Sequence, residues 1–206
     1  MITEKQTAGI VLCGGKSRRM GQEKYRLTFA GETLLQRICR IVRPEVSQIL
    51  IVASLGQEMP EFHGRVEVLR DEIPESGPLA GITQALTFLQ NAKSSPMAAF
   101  VTSCDVPLLK PAVIQLLRNQ LTDAFDAVVV RDSQYAYPLC AIYRTTAADI
   151  AQRLLASGER RAAALSENLR TCWVPIDTIR AIDPDLESLW NCNSPDDLVR
   201  ALDRET

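Results

Sequence analysis

The chain has 206 residues, 46% of them hydrophobic and 23% charged, enough apolar material for one well-buried core and a length that calls for one domain rather than two. Its 23 Lys and Arg nearly balance 25 Asp and Glu, a formal net charge of -2, which excludes the basic stripe of a nucleic-acid-binding protein and the polybasic patch of a membrane-surface protein. A small-molecule partner is expected instead.

The opening "MITEKQTAGIVLC" passes from polar residues into a short apolar strand, with no signal-peptide apolar region and no run of membrane-spanning length after it, so a cytoplasmic protein is expected. Short β-branched runs then recur at Gly9 to Leu12, Ile49 to Val52, Val66 to Leu69, Ala98 to Val101 and Ala127 to Val130. Helical patterns separate them: Leu34, Leu35, Ile38 and Ile41 on one stripe, "SGPLAGITQALTFLQ" with Pro78 in its first turn, and Pro111 to Leu121. This alternation predicts an α/β fold with a mostly parallel central sheet. Beyond Val130, "YPLCAIYR" and "TCWVPI" read as strands, and "TTAADIAQRLLAS" and "RRAAALSENL" as helices. A last helix in "NSPDDLVRALDRE" has Ser194 as N-cap and Asp196 and Asp197 near its positive end. Cys13, Cys39, Cys104, Cys140, Cys172 and Cys192 form no CxxC pair, and the sole histidine, His63, stands apart from them; buried thiols in a reducing compartment are expected, not a zinc site.

Several stretches combine strand ends with chemistry. "LCGGKSRRMGQEK", Leu12 to Lys24, follows the first strand, so Gly14 and Gly15 fall at the carboxyl edge of the sheet, where ligands bind in open α/β folds. Neither the Walker spacing nor GxGxxG fits it. Lys16, Arg18, Arg19 and Lys24 suit a triphosphate, against the plainer reading of a solvated basic turn. In "RDEIPESGPLAGI", Asp71 ends a strand and offers only acceptors, as a guanine edge requires, while Gly77 to Gly81 open a helix whose free amides can face an anion; an ordinary loop-to-helix junction has the same look. In "SCDVPLL", Asp105 is placed either to hold Mg²⁺ together with substrate phosphates or to cap the turn before Pro107. Arg160 and Arg161 in "GERRAAAL" are candidates for a second phosphate, and Asn191 and Asn193 in "NCNSPDD" for a metal or phosphate contact or a simple helix entry.

Taken together, these motifs resemble the molybdenum cofactor guanylyltransferases, which join a GMP unit to molybdopterin. "LCGGKSRRMGQEK" is similar to their LxGGxSxRMGxDK loop, "DEIPESGPLAGI" to D…GPLAGI, "CDVPLL" to CDxPxL and "NCNSPDDL" to NxNTPEDL, in order from Gly9 to Leu202. The resemblance implies a Rossmann-like, three-layer nucleotidyltransferase fold, with a nucleotide-binding part over roughly residues 1–110 and an acceptor-binding part over roughly 111–206. It implies GTP as substrate and Mg²⁺ as metal. Leu12, Cys13, Gly14, Gly15, Lys24, Asp71, Gly77, Gly81 and Asp105 would contact the nucleotide, Asp105 the metal, and Arg19 and Lys24 would be catalytic, with Asn193 a candidate for a metal or phosphate contact. Arg160, Arg161 and Tyr137 are the acceptor-side candidates.

Relatives that transfer CMP carry Ala-Ala-Gly where this chain has Cys13-Gly14-Gly15 and lack GPLAGI, so the pattern is of the guanylyl type, with Gly14 making room for a purine. Glu23, Cys13, Ser54 and Tyr137 depart from the residues frequent in the family. The implied reaction is transfer of GMP from GTP to the terminal phosphate of molybdopterin with release of pyrophosphate. Partners would extend to cofactor-delivery and molybdoenzyme chaperone proteins, with neither nucleic acid nor membrane among them. The alternatives are a cytidylyltransferase or sugar-phosphate nucleotidyltransferase on the same fold, or a GTP-binding regulator without turnover.

Overall fold

A computed structural model of the chain describes residues 2–14, 24–62, 64–71, 77–92 and 96–205. Along it run β1 (Thr7–Leu12), the small hairpin β2 (Thr28–Phe29) and β3 (Glu32–Thr33), α1 (Leu34–Val42), β4 (Ile49–Ser54), β5 (Val66–Asp71), α2 (Pro78–Gln90) and β6 (Ala98–Ser103). There follow α3 (Pro111–Gln120), β7 (Ala127–Arg131), β8 (Ala136–Arg144), α4 (Ala148–Ala156), α5 (Ala162–Glu167), β9 (Thr171–Pro175), α6 (Ile176–Arg180) and α7 (Pro195–Glu205).

Seven strands form one sheet in the order β5-β4-β1-β6-β8-β7-β9. Neighbours are parallel except at β8, which is antiparallel to both β6 and β7. The mostly parallel sheet read from the sequence is therefore present, and the one reversed strand has a local cause. Asp132 Oδ1 accepts the amides of Gln134 (2.7 Å) and Tyr135 (2.6 Å), closing a tight turn between β7 and β8. A connection that short can only return antiparallel.

Both faces of the sheet are covered, which is why its central strands read as continuous apolar runs; β1 is buried at every position. Alternate residues serve opposite faces. Val11, Ile51, Phe100, Val128 and Ile142 pack with Leu35 and Ile38 of α1 and Val113, Ile114 and Leu117 of α3. Ile10, Leu50, Val101, Val129 and Tyr143 pack with Leu79, Ile82 and Leu86 of α2, Ala151 of α4 and Leu165 of α5. These are the three layers expected from the resemblance. Gly81 is where α2 comes closest to the sheet, for a Cβ there would stand 3.1 Å from Leu12 Cδ2 and 3.3 Å from Val52 Cγ1.

Helix ends follow the local sequence. Thr33 and Gln36 form a capping box at α1. At α7, Ser194 Oγ accepts the Asp197 amide (3.2 Å) while Asp197 Oδ2 accepts the Ser194 amide (2.9 Å), so Ser194 is the cap read from the sequence. Arg160 and Arg161 precede α5 and do not occupy its first turn. The reason is that Glu159 Oε1 accepts both of their amides, at 2.8 and 2.9 Å, and holds them in a turn. Five of the six free cysteines are buried and Cys172 is half-buried. No helix among the described residues is long and apolar enough to cross a membrane.

Candidate functional site

From β1 the chain lays β4 and β5 on one side and β6 on the other. The divergence opens a crevice at the carboxyl ends of β1 and β6, the place where open α/β sheets bind ligands. Two amides sew the strand ends together there: Cys104 N donates to Leu12 O (3.0 Å) and Cys13 N to Val52 O (2.8 Å). Asp71 stands opposite Ser54 in the β4–β5 register, and a Cβ on Gly14 would meet Ser54 Oγ at 3.4 Å. The fold therefore brings Leu12, Cys13, Gly14 and Asp71 to one edge. The 3.4 Å distance is an ordinary contact, so packing among the described residues does not itself demand glycine at position 14.

The charged centre of this edge joins three distant segments. Lys24 Nζ donates to Asp105 Oδ2 at 2.7 Å and to Asn193 Oδ1 at 2.6 Å. Ser103 Oγ donates to the other carboxylate oxygen of Asp105 at 2.5 Å. Asp105 is only 7% exposed, so its charge is offset by these partners and not by bulk water. Cys192 N donates to Asp105 O (2.8 Å), which sets Asn193 beside the carboxylate. The Asn193 amide is itself held by Asp197 Oδ2 (3.0 Å). The Ser194 hydroxyl and the Asn193 amide hold the Asp197 carboxyl below its usual range.

A satellite hydrophobic cluster lies beneath these three segments. Phe29 and Leu34 follow Lys24, Leu108 follows Asp105, and Cys192 and Ala201 flank Asn193; all five are buried together, with Leu27, Trp190, Leu198 and Leu202 against them. Arg37, also buried, donates from Nε to Pro107 O (2.6 Å) and stacks 4.5 Å over the Phe29 ring. Its other nitrogens meet Glu32 (3.5 Å) and Glu205. At the far end of the same loop Lys110 Nζ pairs with Asp183 (2.7 Å) and Glu187 (3.0 Å). The Asp105 loop is thus anchored at both ends.

Several groups that hold this edge carry no local signal in the sequence. Gln57, buried, accepts the Ser54 amide (2.8 Å) and donates to Cys13 O (3.4 Å), and Arg70 donates to Gln57 O (2.7 Å). Arg37 belongs with them. Ser103 alone was findable, as the hydroxyl two residues before a strand-end carboxylate.

Gly77, at φ +78, abuts Arg160: a Cβ would stand 2.7 Å from the Arg160 carbonyl, which accepts the Leu79 amide at 3.3 Å. The first turn of α2 is therefore docked on the turn before α5, and Gly77 and Gly81 both have packing reasons to be glycine. Arg160 Nη1 donates to the carbonyls of Leu155 (3.2 Å) and Glu159 (2.8 Å), and Arg161 Nη2 pairs with Glu159 (2.8 Å). That pairing, followed by the amides of Arg161 and Arg160, holds the Glu159 carboxyl at about 2. The Tyr137 hydroxyl donates to Asp132 Oδ2 (2.8 Å), and burial followed by this bond pushes the phenol up to about 12. Asp132 also borders an open pocket of about 280 Å³ at the ends of β7 and β9, walled by Arg131, Ser133, Trp173, Ile176 and Asp177. The Arg131 guanidinium lies 5.3 Å over the Trp173 ring. Gly15, Lys16, Arg18 and Arg19, like His63, lie outside the described residues.

A family model described as a MobA-like NTP transferase domain matches residues 9–196. The molybdenum cofactor guanylyltransferase of Desulfosudis oleivorans is 32% identical over 196 residues, covering 94% of this chain and 93% of that one. A probable molybdenum cofactor guanylyltransferase of Mycobacterium avium is 34% identical over 204 residues, covering 98% of each. Among solved structures, molybdopterin-guanine dinucleotide biosynthesis protein A from Archaeoglobus fulgidus is similar at a TM-score of 0.77 and 27% identity, covering 96% of this chain and 97% of that one. A 4-diphosphocytidyl-2C-methyl-D-erythritol synthase from Anaerococcus prevotii shares the fold, at a TM-score of 0.71 and 12% identity over 98% of this chain and 99% of that one.

Proposed function

Because the chain belongs to the MobA-like NTP transferases, and within them to the molybdenum cofactor guanylyltransferase family, we propose that it transfers GMP from GTP to the terminal phosphate of molybdopterin, releasing pyrophosphate. The observation that carries this reading is the convergence of Lys24, Asp105 and Asn193 at the carboxyl edge of β1 and β6. Glycines and an acceptor-only carboxylate stand on one side of it and an open pocket on the other.

In this reading Leu12, Cys13, Gly14, Gly15 and Asp71 receive the nucleoside, with Asp71 accepting from the guanine edge. Asp105, an anionic oxygen donor, and Asn193, a neutral one, fit Mg²⁺, which takes one or two protein oxygens together with substrate phosphates. When bound, the metal supplies charge neutralisation at the phosphate oxygens. Lys24 and, from the motif, Arg19 would meet the charge that develops on the triphosphate as the α-phosphate is attacked in line. A phosphate monoester is already largely ionised near neutral pH, with a second pKa of about 6. The nucleophile therefore needs no general base, in keeping with a chain whose one histidine stands outside the motifs. The acceptor belongs to the second half of the chain, residues 111–206, where Tyr137 and the Trp173 pocket share the nucleotide's sheet edge, and Arg160 and Arg161 stand beside α2. The reading places the protein in the cytoplasm, with cofactor-delivery and molybdoenzyme chaperone proteins as further partners.

The test is pyrophosphate release with molybdopterin as acceptor, GTP against CTP, with Mg²⁺ and with chelator. The expected result is turnover with GTP and Mg²⁺ alone. Turnover with CTP, or with a sugar phosphate in place of molybdopterin, would overturn the assignment, and tight GTP binding without turnover would point to a regulator.

A further inference from the structure

We propose that Lys24 is a resident counter-cation at the metal-holding pair. Its ammonium competes with a divalent cation for Asp105 and Asn193, and the phosphates of the nucleotide clear the site by drawing that ammonium onto themselves. The inference rests on the reading of Asp105 as the residue that holds the metal. It adds an order of events that this reading does not contain: the metal enters with the nucleotide and not before it.

The geometry is specific. Lys24 Nζ is within hydrogen-bond distance of Asp105 Oδ2 (2.7 Å) and Asn193 Oδ1 (2.6 Å) at once. These are the two hard oxygens a divalent cation would use. The remaining carboxylate oxygen is engaged by Ser103 Oγ at 2.5 Å, so Oδ2 is the one left to a cation, and Lys24 stands on it. The side chains of Lys24 and Asp105 are 22% and 10% exposed, so water screens a second positive charge poorly at this point and the two cations exclude one another.

The arrangement has a use in each state. A carboxylate as buried as Asp105 is costly to leave unpaired, and the ammonium offsets that cost and keeps the group aimed. Lysine suits the exchange because its charge sits at the end of a flexible four-carbon stem, which moves between carboxylate and phosphate without a change in the backbone. A triphosphate carries more negative charge than one carboxylate and one amide oxygen, so it wins the ammonium when it arrives. Asp105 and Asn193 are then exposed to a cation at the moment phosphate oxygens are present to complete its shell.

The experiment titrates Mn²⁺ into the nucleotide-free protein, followed by electron paramagnetic resonance of free Mn²⁺ and by thermal melting. It compares wild type with Lys24→Met and with Lys24→Gln, the latter keeping a donor toward Asp105. The neutral variants are expected to bind Mn²⁺ about tenfold tighter or more than wild type, the effect of removing one like charge at contact distance. Mn²⁺ should raise their melting midpoint and leave that of the wild type in place. The gain should vanish in the Lys24→Met, Asp105→Asn double variant. Equal Mn²⁺ affinity in wild type and both variants, while GTP-loaded wild type takes up Mn²⁺, overturns the competition and leaves the metal assignment standing. A gain that survives in the double variant puts the ion elsewhere and overturns it too. No Mn²⁺ uptake by any of the proteins, with or without GTP, removes both readings together.

Discussion

Two basic clusters stand at the same edge of the sheet, and they are built in opposite ways. Lys24 reaches a carboxylate 81 residues away and an amide 169 residues away, and both are held over a buried hydrophobic cluster. Arg161 reaches Glu159, two residues away, and its side chain is 64% exposed. In the sequence both are short basic stretches beside a carboxylate. What separates them is whether the fold had to bring the partner from elsewhere, for an ion pair within one turn forms wherever the turn forms. A pair assembled from three segments exists only in the folded protein, in surroundings where its charge is not diluted by water.

The comparison can be broken from the strong side first. Asp105→Asn keeps shape and removes the charge, and pyrophosphate release should fall by about 10² or more, as for other single electrostatic groups, with the melting midpoint little changed. Normal turnover in that variant would make the three-segment cluster structural. Leu108→Ala, in the cluster beneath, should lower stability by about 2–4 kcal/mol in a urea titration and weaken turnover as Asp105 loses its support. Stability loss with unaltered kcat would show that the cluster does not position the site. Gly14→Ala should leave stability within about 0.5 kcal/mol, since among the described residues the added Cβ meets only Ser54 Oγ, at 3.4 Å. It should raise KM for GTP by about tenfold or more, the effect of one extra methyl group crowding a fitted pocket, and a variant indistinguishable from wild type in KM would free Gly14 of any part in base choice.

The weak side gives the smallest effect, and it is one of pH. Glu159 is held at about 2 from an ordinary 4.5 by Arg161, then by the amides of Arg161 and Arg160. A depressed carboxylate contributes stability that is present above pH 4.5 and lost as the pH falls through 2. Because its partner Arg161 is exposed, that contribution is slight. Glu159→Gln should leave the melting midpoint at pH 7 unmoved, whereas the side-chain resonance of Glu159 in wild type should titrate near 2. A midpoint near 4.5 would mean that the turn before α5 is not fixed in solution.

Much of the architecture was legible in the sequence because it is local. The five β-branched runs became β1, β4, β5, β6 and β7, and helix starts at Pro78, Pro111 and Ser194 carry their own signals. The direction of β8 was less so, although Asp132 and the short turn after it hold the reason. Asp105, Lys24 and Asn193 were each visible at an informative place, a strand end or a helix entry. Their meeting was not, since it depends on Cys192 N finding Asp105 O and on Leu27, Leu108 and Leu198 sharing one cluster. Arg37 and Gln57 were invisible for the same reason, for each acts on a carbonyl whose position only the fold determines.

The packing of α7 against that cluster also dates the site within the life of the chain. Ribosomes deliver Lys24 and Asp105 well before Asn193, on the order of 10 s earlier at ordinary rates of synthesis. Most of the sheet can pair in that interval, and the apolar floor beneath the ammonium and carboxylate is complete only when Leu198, Ala201 and Leu202 arrive with Asn193. The site therefore gains its third partner only after most of the sheet can have formed.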